Sequence, residues 1–256
     1  MGPDRVKFSA NLGFLWTELA LPDAIFAAHA AGFDAVEIHT PDVPADDLWR
    51  ALDETGLPLL GLNTARHDTF GCAALPGAGE QARADIDAAV SYAVLVEARN
   101  IHVLAGIASG PAARDAYLNT LAYACAAAFD HGLTIQIEPI NAHDAPGYHL
   151  RTTSDALGVI DTIGSPNLKL MFDCYHVARS EGDVAARLQA CLPHIGHIQF
   201  AGVPHRGRPD EGTLDYAALF ALIAEHGWTV PLGAEYRPNG QTEESLGWLT
   251  GPDRLG

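Results

Sequence analysis

The chain has 256 residues, 48% of them hydrophobic, and a formal charge of −17, with 15 Lys and Arg against 32 Asp and Glu. That balance excludes nucleic acid as a partner, because a phosphate backbone needs a footprint of clustered cations. Small anionic substrates stay admissible, since a few local arginines or a metal ion offset the global field. No apolar run is long enough for a membrane span and no secretory leader opens the chain. Cys72, Cys125, Cys174 and Cys191 show no Cys-x-x-Cys spacing. The expectation is a cytoplasmic protein with reduced, mostly buried thiols.

One unit repeats along the chain: a short apolar strand, a polar or Gly-rich turn, then an amphipathic helix. The first strand is predicted over Val6–Leu12, with a helix around Pro22–Ala31 ended by Gly32. Ala35–Thr40 is the second strand, and its helix runs from about Ala45 to Thr55 and stops at Gly56. Pro58–Thr64 is the third, followed by a loop with Gly71, Pro76, Gly77 and Gly79 and a long helix over Glu80–Glu97. Ile101–Gly106 precedes a helix over Ala112–Asp130. The fifth strand is Leu133–Asn141, LTIQIEPIN; its helix is capped by Thr152 or Thr153 and ends at Ile163 with Gly164 as its stop. Leu168–Asp173 leads to a helix over Val184–Leu192, and Gly196–Ala201 to one over Tyr216–His226. Pro231–Tyr236 is the eighth strand, and a short helix near Glu243–Leu249 closes the chain.

Eight strand–helix units without a linker or composition break read as one domain over residues 1–256, an α/β chain folded as a (β/α)8 TIM barrel. The rival is an open doubly wound sheet, but SANLGFL after the first strand is a poor match to a Gly-rich phosphate turn. A barrel divides each strand by period 2, with apolar residues packing outward under helices. Phe8, Ala10, Val36, Ile38, Leu60, Leu62, Ile101, Val103, Ile135, Ile137, Leu168, Leu170, Phe172, Ile198, Phe200, Leu232 and Ala234 then point out. Ser9, Asn11, Glu37, His39, Gly61, Asn63, His102, Gln136, Glu138, Lys169, Met171, Asp173, His197, Gln199, Gly233 and Glu235 point in. Such a polar interior is costly unless its charges are paired or used.

The last inward residues of four successive strands are Glu138, Asp173, Gln199 and Glu235. All four sit at C-terminal strand ends, where barrel enzymes build their sites. Adjacent strands lie about 4.8 Å apart, so these side chains can converge on one ion. Three clustered carboxylates repel one another without a cation. An all-oxygen set suits Mg²⁺ or Mn²⁺ rather than Zn²⁺. The predicted cofactor is therefore a divalent Mg²⁺ or Mn²⁺ held by these four residues.

The segments EPIN, FDCYH, GHIQFAGVPHRG and EYRP, preceded by FSANLGFLWTE and AGFDAVE, resemble the hydroxypyruvate isomerase family of the xylose-isomerase-like barrels over nearly the whole chain. The chain is also similar to 2-oxo-tetronate isomerases. The resemblance implies that Glu138 and Glu235 are metal ligands that double as the proton donor and acceptor, and that Asp173 and Gln199 complete the metal sphere. His176 falls in the loop just beyond the sixth strand, where the resemblance implies that it faces the substrate oxygens; it also implies that Arg206, in PHRG, meets the substrate's anionic or hydroxyl end, and Arg237 is a second candidate for that end. Related sugar epimerases usually carry His where this chain has Gln199.

The chemistry implied is a metal-dependent isomerisation of a 2-oxo-3-hydroxy acid through an enediolate, of the hydroxypyruvate and tartronate semialdehyde type. A ketose 3-epimerase and a 2-oxo-tetronate isomerase are close alternatives. A polyol dehydratase is more distant, as is a hydrolase of the apurinic-endonuclease branch, which would want a His-rich multi-metal cluster and a basic surface. The expected partner is a small oxo acid or sugar, and homo-oligomerisation stays open. The chain departs from the family at the rim: His39-Thr40-Pro41-Asp42 after the second strand, a shortened ARHDTFGC (Ala65–Cys72) after the third, a short Ile107–Ala113 after the fourth, and Arg208 after PHRG. Rim segments set substrate size and polarity.

Overall fold

A parallel strand in a barrel is buried on both faces, so its outward residues must be apolar and its inward ones small, paired or used. In the computed structural model, which describes residues 5–250 and 255, the strands are β1 (Phe8–Asn11), β2 (Ala35–Glu37), β3 (Leu59–Asn63), β4 (Asn100–His102), β5 (Thr134–Ile137), β6 (Leu168–Asp173), β7 (Ile195–Phe200) and β8 (Leu232–Ala234). They pair in parallel, each with its neighbour in the chain, and β8 returns to β1 to close the barrel.

The helices α1 (Leu21–Ala30), α2 (Ala45–Thr55), α3 (Gly79–Leu95), α4 (Pro111–Phe129), α5 (Thr153–Ile163), α6 (Cys174–Ser180), α7 (Val184–Cys191), α8 (Tyr216–Glu225) and α9 (Gly247–Thr250) follow the strands. The helix α2 stops at Gly56 and α5 at Gly164, both left-handed, and Thr152 caps α5 by accepting from the Asp155 amide. Among the described residues no helix is long and apolar enough to cross a membrane.

The outward residues form the core under the helices, with Phe8, Val36, Ile101, Ile135, Leu170, Ile198 and Leu232 all in one buried apolar cluster. Where the barrel closes, Trp248 of α9 packs edge-on to Phe8 at 5.1 Å and to Phe200 at 5.4 Å, and Phe220 of α8 joins them. These rings bury a large apolar area across β1, β7 and α9, which fastens α9 to the seam.

Three expectations shift. Leu59 rather than Leu60 joins the outer cluster, because a bulge between β2 and β3 pairs Val36 with Leu59 but Glu37 with Gly61. Leu60 instead lines a small cavity inside the barrel. The extra residue inserted by a bulge breaks strict alternation. The short helix α6 begins directly after β6, so His176 lies in a helical first turn rather than a loop. The closing helix is split into a 3₁₀ turn, Glu243–Ser245, and α9.

Candidate active site

The registers bring the polar strand ends together. Asp173 of β6 is the Cα partner of Gln199 of β7. Glu138 and Glu235 each lie one residue beyond the paired part of β5 and β8, and the Glu235 amide still donates to the Phe200 carbonyl at 3.1 Å. Glu138, Asp173, His176 and Glu235 each place one ligand atom within 4.8 Å of the others', and all four are buried.

Each acceptor is oriented by something behind it. One Asp173 oxygen, Oδ1, caps α6 by accepting from the Tyr175 amide at 2.8 Å. Its other oxygen, Oδ2, is buried without a hydrogen-bond partner. The Gln199 Nε2 donates to Glu37 Oε2 at 2.8 Å, which turns Gln199 Oε1 away, buried and unpaired. Glu37 also accepts from Ser9 Oγ and lies 2.9 Å from His197 Nε2. Room for this pair exists because position 233 carries no side chain: a Cβ on Gly233 would sit 2.4 Å from Glu37 Oε1 and 2.7 Å from Gln199 Cγ. Glu138 Oε1 is likewise buried without a partner.

The His176 tautomer follows from Asn141. The Asn141 Oδ1 accepts from the amides of His143 and Asp144 at 2.9 and 3.0 Å, so its Nδ2 must face His176 Nδ1, 2.6 Å away. A nitrogen that accepts there leaves the ring proton on Nε2. That nitrogen points at Asp173 Oδ2 and Glu138 Oε1, 3.6 and 3.7 Å away.

Glu235 is treated differently from Glu138. Its Oε1 accepts from Asn11 Nδ2 at 3.1 Å and lies 3.4 Å from His39 Nε2, and its Oε2 meets Arg206 at 2.5 Å. Burial acts upward on the Glu235 carboxyl, but Arg206 and then His39 bring it down to about 2. Burial, and then the charges of Glu235 and Asp173, push Glu138 well above the ordinary carboxylate range. Burial lifts Asp173 to about 7 against the pull of Arg206. Burial, with Arg206 adding to it, holds the His176 imidazole well below its ordinary range. Burial lowers His102 to about 4.

Buried like charges of this kind fit a resident dication. Unpaired oxygens on Glu138, Asp173 and Gln199 beside Glu235 make an all-oxygen donor set, the chemistry that suits Mg²⁺ or Mn²⁺, with the imidazole of His176 alongside.

The cluster opens into a cavity of about 360 Å³ with walls that include Phe14, Leu104, Ile140 and Met171. Among the residues singled out in the sequence, Glu138, His176, Gln199, Arg206 and Glu235 line this cavity, as do His39, His102 and Arg237. Asp173 stands at 0% exposure behind the first row. Arg206 does not reach toward open space: Glu235, Asp144 at 3.4 Å and Asp173 at 3.7 Å surround its guanidinium, which also stacks on Phe14 at 4.5 Å.

Sequence reasoning assigned no role to Asn11, Glu37 or Asn141, whose work is to orient other side chains. Their inward or strand-end positions were visible, but not the partner each one would choose.

The family profile described as "Xylose isomerase-like TIM barrel" matches residues 25–251. A 2-oxo-tetronate isomerase of Cupriavidus necator is 42% identical over 252 residues, 95% of this chain and 97% of that one. A Drosophila melanogaster protein that carries hydroxypyruvate isomerase as a provisional name is 36% identical over 256 residues, 96% of this chain and 97% of that one. Among solved structures, a protein titled AP endonuclease, family 2, from Brucella melitensis superposes with a TM-score of 0.92 at 31% identity, covering 96% of this chain and 98% of that chain. With the profile spanning most of the barrel and relatives this similar over nearly their whole length, the chain belongs to the xylose isomerase-like TIM-barrel family.

Proposed function

We propose that the protein is a divalent-metal-dependent isomerase that moves the carbonyl of a short 2-oxo-3-hydroxy acid to the neighbouring carbon. Its substrates would be the three-carbon hydroxypyruvate and tartronate semialdehyde pair or the four-carbon 2-oxo-tetronate, the compound named in the 42% identical relative. The observation that carries this reading is three buried, unpaired oxygens on Glu138, Asp173 and Gln199, with Glu138, Gln199 and Glu235 lining one cavity and Asp173 behind them.

Such an isomerisation removes a proton from the hydroxyl-bearing carbon and returns one to the adjacent carbonyl carbon. The C–H electron pair becomes the double bond of an enediolate, and the hydroxyl proton passes to the neighbouring oxygen. When bound by Glu138, Asp173, Gln199 and Glu235, Mg²⁺ or Mn²⁺ would supply Lewis-acid stabilisation of the charge that develops on the two oxygens.

Glu138 and Glu235 both line the cavity beside the ion site, as a proton-shuttling pair must. Glu235, kept anionic by Arg206, takes the carbon-bound proton and hands it to Glu138, which returns it on the neighbouring carbon; the reverse reaction exchanges their roles. His176, neutral and protonated on Nε2, is placed to donate to a substrate oxygen and carry the hydroxyl proton. The apolar wall of Phe14, Leu104, Ile140 and Met171 excludes water that would quench the anion.

The test is a mass-resolved screen of C3–C6 oxo acids and ketoses in D2O, with and without Mn²⁺. Deuterium at a single carbon, without change of skeleton mass and only with metal, is expected for a 2-oxo acid. Exchange in a ketose with inversion of one centre would instead make the protein an epimerase, and loss of water a dehydratase. The endonuclease title of the Brucella protein names a reaction that asks for a cationic surface, and the charge of −17 opposes it. Cleavage of an abasic duplex by the purified protein would overturn the isomerase reading.

A further inference from the structure

Even with a dication bound and Arg206 counted, the groups around the ion site hold more negative than positive charge. Glu138, Asp173 and Glu235 surround the ion site, Glu37 lies behind Gln199, and Asp144 lies at the wall. Arg206 is already shared among Glu235, Asp173 and Asp144. A substrate carboxylate entering this field would be repelled unless other cations met it.

Two arginines line the same cavity and make no ion pair or side-chain hydrogen bond among the described residues: Arg66, between β3 and α3, and Arg237, just after β8. Each guanidinium rests on an aromatic ring, Arg66 over Phe70 at 3.9 Å and Arg237 over Phe14 at 5.7 Å. A stacked guanidinium keeps its edge, with its N–H donors, free for a planar carboxylate.

The backbone under Arg66 is held firmly. His67 and Phe70, which are not glycines, sit at φ 48° and 56°, conformations that persist only where surroundings impose them. The Asp85 side chain of α3 accepts from His67 Nε2 at 2.7 Å and from Cys72 Sγ at 3.2 Å. Gly71, at φ 99°, lies so close to β4's extension that an added Cβ would meet the Leu104 carbonyl at 2.2 Å. This is the shortened ARHDTFGC segment, so the rebuilt loop presents one cation at a fixed place on the rim.

We propose that Arg66 and Arg237 together bind the carboxylate of the substrate and make the site selective for 2-oxo acids over neutral sugars. This assignment rests on the isomerase reading and names its substrate class. Arg206 then serves as a positioning residue that keeps Glu235 ionised, while the acid group is read at the rim.

The experiment is calorimetric titration of the Mn²⁺-loaded protein with glycerate and with its uncharged amide, glyceramide, neither of which can isomerise. The wild-type protein is expected to prefer the acid. Arg66→Gln and Arg237→Gln are each expected to weaken glycerate roughly tenfold, and the double variant roughly a hundredfold, as charged hydrogen bonds in a partly closed site are lost. Glyceramide should shift by less than about threefold, and Arg66→Lys should recover part of the glycerate affinity. Equal losses for acid and amide, unchanged glycerate binding in the double variant, or a wild-type protein that does not prefer the acid would overturn the proposal. Failure of the isomerase reading shows separately, as absence of deuterium incorporation by wild-type protein in the D2O screen.

Discussion

The buried carboxylates make the protein's stability depend on pH without an ion and remove that dependence once an ion is bound. In the ion-free protein Glu138 sits well above the ordinary range and Asp173 at about 7, whereas in the unfolded chain both have lost their protons above about pH 5. The native state therefore holds more protons than the unfolded state, and stability falls as pH rises, by about 1.4 kcal/mol per pH unit for each extra proton. Between pH 6.5 and 8 Glu138 lowers stability as pH rises for as long as it holds its proton, and Asp173 adds to the loss until its own titration near 7 is complete. His102, lowered to about 4, and His176, lowered well below its usual range, act only below the unfolded imidazole value of about 6.5, where they weaken the fold as pH falls. Glu235, at about 2, contributes stability that is fully present throughout this window. The net expectation in chelator is a lower denaturant midpoint and a lower Tm at pH 8 than at pH 6.5.

With saturating Mn²⁺ the trend is cancelled, because ligation needs those protons gone: binding releases one to two protons, affinity climbs about tenfold per pH unit for each, and the gain offsets the ion-free loss. Denaturant midpoints at pH 6.5 and 8, in chelator and in Mn²⁺, measure the stability terms. Calorimetry in two buffers of different protonation enthalpy counts the protons. Ion-free protein that is equally or more stable at pH 8, or ion binding that releases no proton, would refute the reasoning.

Replacing Glu138 or Glu235 by Gln should each cut solvent-deuterium exchange into substrate by a factor of about 10²–10⁴, read by proton NMR; undiminished exchange in either variant removes that residue from the pair. Asn141→Asp should let the new carboxylate accept from His176 Nδ1, shift the ring proton off its Nε2-only tautomer, and lower kcat about a hundredfold; ¹⁵N shifts of His176 report the tautomer directly. Glu37→Gln should free the Gln199 amide to rotate and weaken Mn²⁺ binding about 10–100-fold, as followed by the paramagnetic resonance of free Mn²⁺; unchanged affinity would mean that Gln199 holds its orientation without Glu37.

The barrel was legible because its signal is repeated and redundant. Eight apolar strands with period 2, each followed by an amphipathic helix with a turn signal behind it, allow few other foldings. One misplaced residue does little harm to such a pattern. The error at Leu60 shows where it fails: a bulge beside Glu37 inserts one residue, and period-2 counting has no means of detecting a local slip. His176 was taken for a loop residue because Cys174–Ser180 is too short to show a helical period, and what starts α6 is the Asp173 carboxylate bonding to the Tyr175 amide. The capping role of Asp173 also explains why only one of its oxygens is left for other work.

Composition and spacing place Glu138, Asp173, Gln199 and Glu235 on one rim, but they carry no information on how an amide is turned or which nitrogen of a ring holds the proton. Those choices are made by Glu37 for Gln199 and by Asn141, with both its amides, for His176, through hydrogen bonds between residues 162 and 35 positions apart. Gly233 belongs to the same arrangement, although as a glycine in a strand it reads only as a weak point in the sheet. The inward polar residues that first looked like the price of a polar barrel are thus a support layer: Ser9, Glu37 and His197 below Gln199, and Asn11 beside Glu235. A buried polar network is tolerable only when its members find partners. Among the four strand-end residues the oxygens left over fall on Glu138, Asp173 and Gln199, while Gln136 and His197 within the barrel also keep buried polar atoms without a partner. Hydrogen bonding therefore tells Glu37 from Glu138 where residue type does not: both are buried inward glutamates, and only Glu138 keeps an oxygen free.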